Sequence, residues 1–217
     1  MTPMTTVPNH RTTLQDLLSQ RNQYPERHAA IDAEIQRHFS QKLAVLVLDM
    51  SGFSRLTANH GIIHFLAMVH KMEQAATPAV TGNGGHVVKQ EADNLFAVYP
   101  TPQMALESAL DIRRAMAAMN TVLPEYLAIR VCIGIGYGDT LYLEDQDMFD
   151  HEVNLACKLG EDLAKADEIL LTAAAHAELP EDDYEFTSEM FEISGLSLKS
   201  WRYQGRLFSK TISARAV

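Results

Sequence analysis

The chain has 217 residues and a formal net charge of −10, a length that suits one domain with an appendage and is short for two. The acidic balance argues against a protein that coats nucleic acid or lies on a membrane through a basic surface. Hydrophobic residues make up 47% of the chain, enough for a sizeable core, yet the longest unbroken apolar run, Leu43–Leu48, is far short of a membrane span. Cys132 and Cys157 stand in apolar surroundings, and the N-terminal stretch carries no apolar signal core. Both point to the reducing cytoplasm rather than to a disulfide framework.

Residues 1 to about 12 are polar, with two prolines, and read as loosely attached. From Thr13 to Gln41 the pattern is helical, in two pieces broken near Tyr24-Pro25, with Leu14, Leu17 and Leu18 on one piece and Ile31, Ile35 and Phe39 on the other. This segment either packs on its own domain or serves as a dimerising helix, and it could receive a separate regulatory partner. Residues 42–210 form the domain proper. Leu43 to Asp49 suits a central strand buried on both faces. A helix follows, with Ile62, Phe65, Val69, Met72 and Ala76 along one face, ended by the Gly-rich turn at Gly82 to Gly85. His86 to Gln90 and Asn94 to Tyr99 read as two strands joined by a short turn. Pro102 opens a second helix with Ala105, Ala109, Ile112, Met116 and Met119 as its buried stripe. Tyr126 to Tyr137 reads as a long strand continued into Thr140 to Leu143. A helix near 152 to 165, a strand from Glu168 to Thr172 and a β-rich tail from Tyr184 to Phe208 complete the chain. The predicted order, βαββαβ, is the ferredoxin-like α+β sandwich with a C-terminal α/β extension.

Three places carry residues suited to chemistry. Asp49 ends a buried strand, where an unpaired carboxylate is costly, and a turn with free backbone N–H groups follows it; it could instead cap the next helix. Asp93 sits in the turn between the two middle strands, which would bring it to the same sheet edge as Asp49. Two convergent carboxylates without histidine suit a hard cation such as Mg²⁺ or Mn²⁺, although Asp93 could simply serve its turn. Asn154 and Lys158 are four residues apart and share a helix face behind Asp147. Glu144, Asp145, Asp150 and Glu152 read as a solvated acidic face. Gly134, Gly136 and Gly138 alternate along a strand and mark a place where another backbone comes close.

Taken together, Leu48-Asp49-Met50-Ser51-Gly52-Phe53-Ser54, then Lys89-Gln90-Glu91-Ala92-Asp93, then Asp147 with Val153-Asn154-Leu155-Ala156 resemble the class III adenylate and guanylate cyclases over about residues 43 to 205. The resemblance implies that Asp49 and Asp93 hold two Mg²⁺ or Mn²⁺ ions, with the Met50 carbonyl as a further ligand. It implies that the backbone of Ser51, Gly52, Phe53 and Ser54 cradles a nucleoside triphosphate. Lys89 and Asp147 match the pair that reads adenine, where guanylate cyclases usually place Glu at the lysine position, so ATP is the favoured substrate. Asn154 matches the asparagine that orients the ribose. The family builds its site between two protomers, so a homodimer with two sites is expected, catalysing attack of the ribose 3′ oxygen on the α-phosphorus.

Three positions depart from that pattern. Lys158 stands where the family usually has the transition-state arginine, Ala92 where a glycine is expected, and Asp150 where a loop glycine is expected. Lysine keeps the charge but loses the planar fork, which implies a slower enzyme. The second triphosphate contact is open among Lys199, Arg202 and Lys210. Two rival expectations follow: cyclisation of GTP or a pyrimidine triphosphate, or a catalytically silent cyclase-like module that binds nucleotide or dimerises.

Overall fold

The computed structural model describes residues 9–52, 61–193 and 196–207. Helix α1 (Arg11–Gln23) and helix α2 (His28–Phe39) are separated by a single 3₁₀ turn at Pro25–Arg27, since proline there has no N–H to continue α1. Strand β1 (Ser40–Met50) follows directly, then helix α3 (Ile62–Gly82), strands β2 (His86–Glu91) and β3 (Asn94–Tyr99), and helix α4 (Pro102–Asn120). Strand β4 (Val131–Leu143) turns back as the short strand β5 (Asp147–Phe149). Helix α5 (His151–Cys157) continues as a π-helical stretch, Lys158–Leu163. Strand β6 (Ile169–Thr172), helix α6 (Ala173–Ala177) and the hairpin of β7 (Tyr184–Ile193) with β8 (Leu196–Arg206) end the described chain.

The sheet runs β2-β3-β1-β4-β6-β8-β7, with β5 paired to β4. Its first four strands are antiparallel neighbours, the ferredoxin-like α+β arrangement expected from the sequence, and the rest extend it. Strand β1 lies in the middle and explains its own sequence. Leu46 and Leu48 face the main core under α3 and α4, with Met72, Leu106 and Ile112. Val45 and Val47 face the other side, with Phe96, Val98 and the α5 residues Val153 and Ala156. Period-two alternation sends both sets inward because both faces are covered.

The α1–α2 segment packs on its own domain, with Leu14, Leu17, Ile31, Ile35 and Phe39 buried against Leu143. The expected loose attachment up to residue 12 is corrected at its end: α1 begins at Arg11, and the Asn9 amide donates to the Tyr142 carbonyl at 3.0 Å. Strand β4 starts at Val131, not at Tyr126. The Asn120 side chain bonds both the N–H and the carbonyl of Ile129 at 2.8 Å, holding this approach outside the sheet.

The seat of α5 comes from β4. A Cβ on Gly134 would lie 2.1 Å from the Ala156 carbonyl oxygen and 2.7 Å from the Gly160 nitrogen. Only a strand without side chains at this point lets the helix backbone rest directly on the sheet.

Candidate active site

The β1–β3 register ends with Leu48 opposite Leu95. The next residues, Asp49 and Met50 on one side and Asp93 and Asn94 on the other, therefore lie together at that edge. Asp93 is buried, and burial raises its pKa. Asp49 is pushed up to about 7, chiefly by burial and then by Asp93, Glu161 and Asp162, against a hydrogen bond from Met50. Among the described residues the leading influences on either carboxyl include no basic side chain. Asp49 does not cap the described helix, whose N-cap is Gly61.

Lys89 follows a bulge in β2 and pairs with Phe96. Its ammonium lies 2.9 Å from Asp147 Oδ1, 2.9 Å from Glu91 Oε1 and 4.8 Å above the Phe96 ring. Burial disfavours that charge, but Glu91 and Asp147 outweigh it and raise the lysine pKa. Asp147 sits on β5 opposite Leu143, placed by a tight β4–β5 turn in which Asp145 takes φ +56. Its Oδ1 also accepts from the Met148 N–H at 3.0 Å, and its Oδ2 accepts from Arg11 Nη2 at 2.7 Å. Burial pushes this carboxyl up, but Lys89, Arg11 and the Met148 amide hold it below the usual range.

Asn154 is exposed on α5. With Lys158 it lines an open cleft of about 440 Å³ that includes Cys157, Glu161, Asp162 and Leu198. The Ala164 N–H bonds the Leu159 carbonyl five residues back at 2.8 Å. This widened turn, of the kind often found at functional sites, ends the stretch that carries Lys158, Glu161 and Asp162 together. Cys157 joins the two ends of the site: burial, aided by Glu161, pushes its thiol up to about 11, while Lys89 acts in the opposite sense.

No protein-family model matches the chain. A Rhizobium meliloti protein that carries an adenylate cyclase name is 31% identical over 116 residues, 54% of this chain and 20% of its own length. An adenylate cyclase of Streptomyces coelicolor is 31% identical over 139 residues, 64% of this chain and 34% of its own. The matched part thus spans a fifth to a third of these curated relatives. The solved adenylate/guanylate cyclase/hydrolase of Silicibacter pomeroyi superposes with a TM-score of 0.62 at 28% identity, covering 76% of this chain and 96% of that one. The chain shares the fold of class III adenylyl/guanylyl cyclase domains and is similar in sequence to adenylate cyclases.

Within this cyclase-like fold the structure brings Lys89 to Asp147, Asp49 and Met50 to Asp93, and Asn154 to Lys158. Phe53 and Ser54 lie outside the described residues, and so does Lys210. In the expected phosphate cradle, the Ser51 N–H donates to the Arg130 carbonyl at 2.9 Å and Gly52 is exposed. Lys199 lies 4.6 Å above the Trp201 ring, and Arg202 pairs with Glu168 and Glu189.

The acidic loop is not uniformly solvated as expected. Asp150 caps α5 by accepting from the Glu152 N–H at 3.1 Å, in extended backbone that needs no glycine. Glu152 accepts from Thr172 Oγ1 at 2.5 Å and from the Tyr137 N–H at 3.2 Å. Ala92 takes φ +53, so the missing glycine leaves an alanine in left-handed backbone. Arg11, Glu91, Glu161 and Asp162 belong to the surroundings of the site and were not legible in the sequence. Glu91 alone had a local signal, two residues from Lys89 on an edge strand.

No group of three His, Cys, Asp or Glu converges on a metal position among the described residues. The buried carboxylate of Asp93 beside the half-buried carboxylate of Asp49 still fits a divalent cation. Mg²⁺ is commonly held by one or two carboxylates, with substrate phosphates and water filling its remaining positions. Among the described residues no helix is long and apolar enough to cross a membrane, and both cysteines are free.

Proposed function

We propose that this domain converts ATP to 3′,5′-cyclic AMP and pyrophosphate at sites formed between two copies of the chain, in the cytoplasm. The observation that carries this reading is the Lys89–Asp147 pair. It presents one donor and one acceptor side by side, and an adenine edge offers the complement: N1 accepts and the N6 amine donates.

Asp49 and Asp93, with the Met50 carbonyl, are the residues that would hold two Mg²⁺ or Mn²⁺ ions. The ions would supply Lewis acidity, favouring loss of the 3′ hydroxyl proton and offsetting charge on the leaving pyrophosphate. The raised pKa of Asp49 is the electrostatic state such a cation relieves. Asn154, exposed at the cleft, would hold the ribose so that its 3′ oxygen faces the α-phosphorus. Lys158 would stabilise charge on the α-phosphate. Orientation and preorganised charge supply most of the catalysis in such a displacement. In a homodimer the two aspartates of one copy would face the Lys89, Asp147 and Asn154 of the other, which gives two equivalent sites.

The same donor–acceptor pair also matches guanine through O6 and N1–H, so GTP is the competing substrate. The left-handed Ala92 and the Lys158 substitution favour a third outcome, a silent binding module. Pyrophosphate release from ATP, GTP, CTP and UTP with Mn²⁺, with products identified by mass spectrometry, separates them. Cyclic AMP as the main product, lost in Asp49→Ala, supports the proposal. Another cyclic nucleotide keeps the metal pair and overturns the base assignment. No product from a folded dimer establishes the silent module.

A further inference from the structure

The N-terminal helix reaches the base-reading pair. Arg11 Nη2 donates to Asp147 Oδ2 at 2.7 Å, while Lys89 holds Oδ1 at 2.9 Å. The Arg11 N–H bonds Gln146 Oε1 at 3.2 Å, and Asn9 bonds the Tyr142 carbonyl, so the start of α1 is pinned to the β4–β5 turn. The Asp147 side chain is 12% exposed and that of Arg11 48%. A guanidinium has five N–H donors in a rigid fork; among the described residues Nη2 alone makes a side-chain bond from it, so the rest of the fork is open to a ligand.

Donor, acceptor and donor therefore stand in a row: Lys89, Asp147, Arg11. We propose that Arg11 is a third base-reading residue, donating to purine N7 while Lys89 meets N1 and Asp147 meets the N6 amine. This rests on the nucleotide-site reading above. Two contacts fit either purine, whereas three do not. Adenine offers acceptor, donor and acceptor in that order at N1, N6 and N7. Guanine carries acceptors at both O6 and N7, so its O6 would face the Asp147 carboxylate, and a site leaving polar groups unpaired rejects that analogue. Arg11 thus turns a pair that tolerates both bases into one that selects adenine.

The test compares wild type, Arg11→Ala and Arg11→Lys with ATP, GTP and 7-deaza-ATP, which lacks the N7 acceptor. Binding is read by displacement of a fluorescent nucleotide, and turnover by pyrophosphate release. Wild type is expected to prefer ATP over 7-deaza-ATP by about tenfold, the size of a lost charge-assisted hydrogen bond. Arg11→Ala should bind the two alike and lose about as much of its preference for ATP over GTP. Arg11→Lys should keep part of both. A purely structural role for Arg11 would weaken all three nucleotides together and leave the ratios unchanged, which overturns the inference. Wild type that binds ATP and 7-deaza-ATP equally overturns it as well, with the site reading intact. Wild type that binds no nucleotide removes the site reading and the inference together. Altered binding ratios without turnover would support Arg11 as a reader in a silent module.

Discussion

The ammonium of Lys89 on β2 and the carboxylate of Asp147 on β5 lie 2.9 Å apart although neither strand pairs with the other. A bulge in β2 and a left-handed residue in the β4–β5 turn bring them together. Lys89→Glu would place three acids in one small space, Glu91 and Asp147 included. The expected result is a drop in kcat/KM for ATP of about tenfold to a hundredfold, since a buried charge loses its partner. Lys89→Met, with no new charge, should lose less. Steady-state kinetics on both variants, with circular dichroism to confirm folding, check this; undiminished ATP use in Lys89→Glu would remove the base-reading role.

Asp49 gives the metal-free protein a characteristic pH dependence. Its folded pKa, about 7, lies above the ordinary value. The folded state therefore binds more protons than the unfolded state between about pH 4 and 7, and stability from this group falls as pH rises through that window. With EDTA present, Tm should be higher at pH 5.5 than at pH 8. Asp49→Asn should flatten that slope, raise Tm at pH 8 by several degrees and abolish turnover. Adding Mn²⁺ to wild type at pH 8 should raise Tm, because a cation bound only to the folded state stabilises it. Thermal melts across pH, with and without Mn²⁺, measure all three.

Ala92, at φ +53, keeps a left-handed conformation that costs an L residue about 1–2 kcal/mol. Glycine relieves this but gains freedom in the unfolded chain, so Ala92→Gly should stabilise by a net of about 0.5–1 kcal/mol. The urea midpoint should rise with an unchanged slope. An unchanged or lower midpoint would show that the turn has relaxed around alanine.

Gly134→Ala tests how α5 is seated. The new Cβ would press on the backbone at Ala156 and Gly160 rather than on a movable side chain. Overpacking of this kind costs about 1–3 kcal/mol or more, and it should push Asn154 and Lys158 out of place. Turnover should fall well beyond what the loss of folded protein explains.

Lys158→Arg restores a planar, multi-donor cation at the cleft. The expected result is a several-fold rise in kcat with little change in KM, because the group acts on charge that develops in the transition state. A fall in kcat would mean that the π-helical stretch holds lysine in a position arginine cannot occupy.

The amino-acid order was sufficient for the fold's outline, because its signals are local. The apolar run before Asp49, the helical stripe from Phe65 to Ala76, and the turn residues around Asp93 each report on neighbours a few positions away, and the β2-β3-β1-β4 core follows from their sequence. The pairing of Asp49 with Asp93 was legible for the same reason, since one strand end and one turn fall on the same edge. Other features depended on contacts between distant segments. The start of β4 at Val131 rests on Asn120 reaching Ile129, and the bond that draws Glu152 out of the solvated face comes from Thr172. The left-handed φ of Ala92 and the occupied Ser51 N–H could only be read from the folded backbone. Arg11 meets Asp147 across 136 positions of sequence, in a stretch whose polar composition read as loose. Local pattern determines which elements form and which face of each is apolar; which charged side chains meet depends on where strands, turns and the N-terminal helix finally pack, and only the tertiary structure decided that.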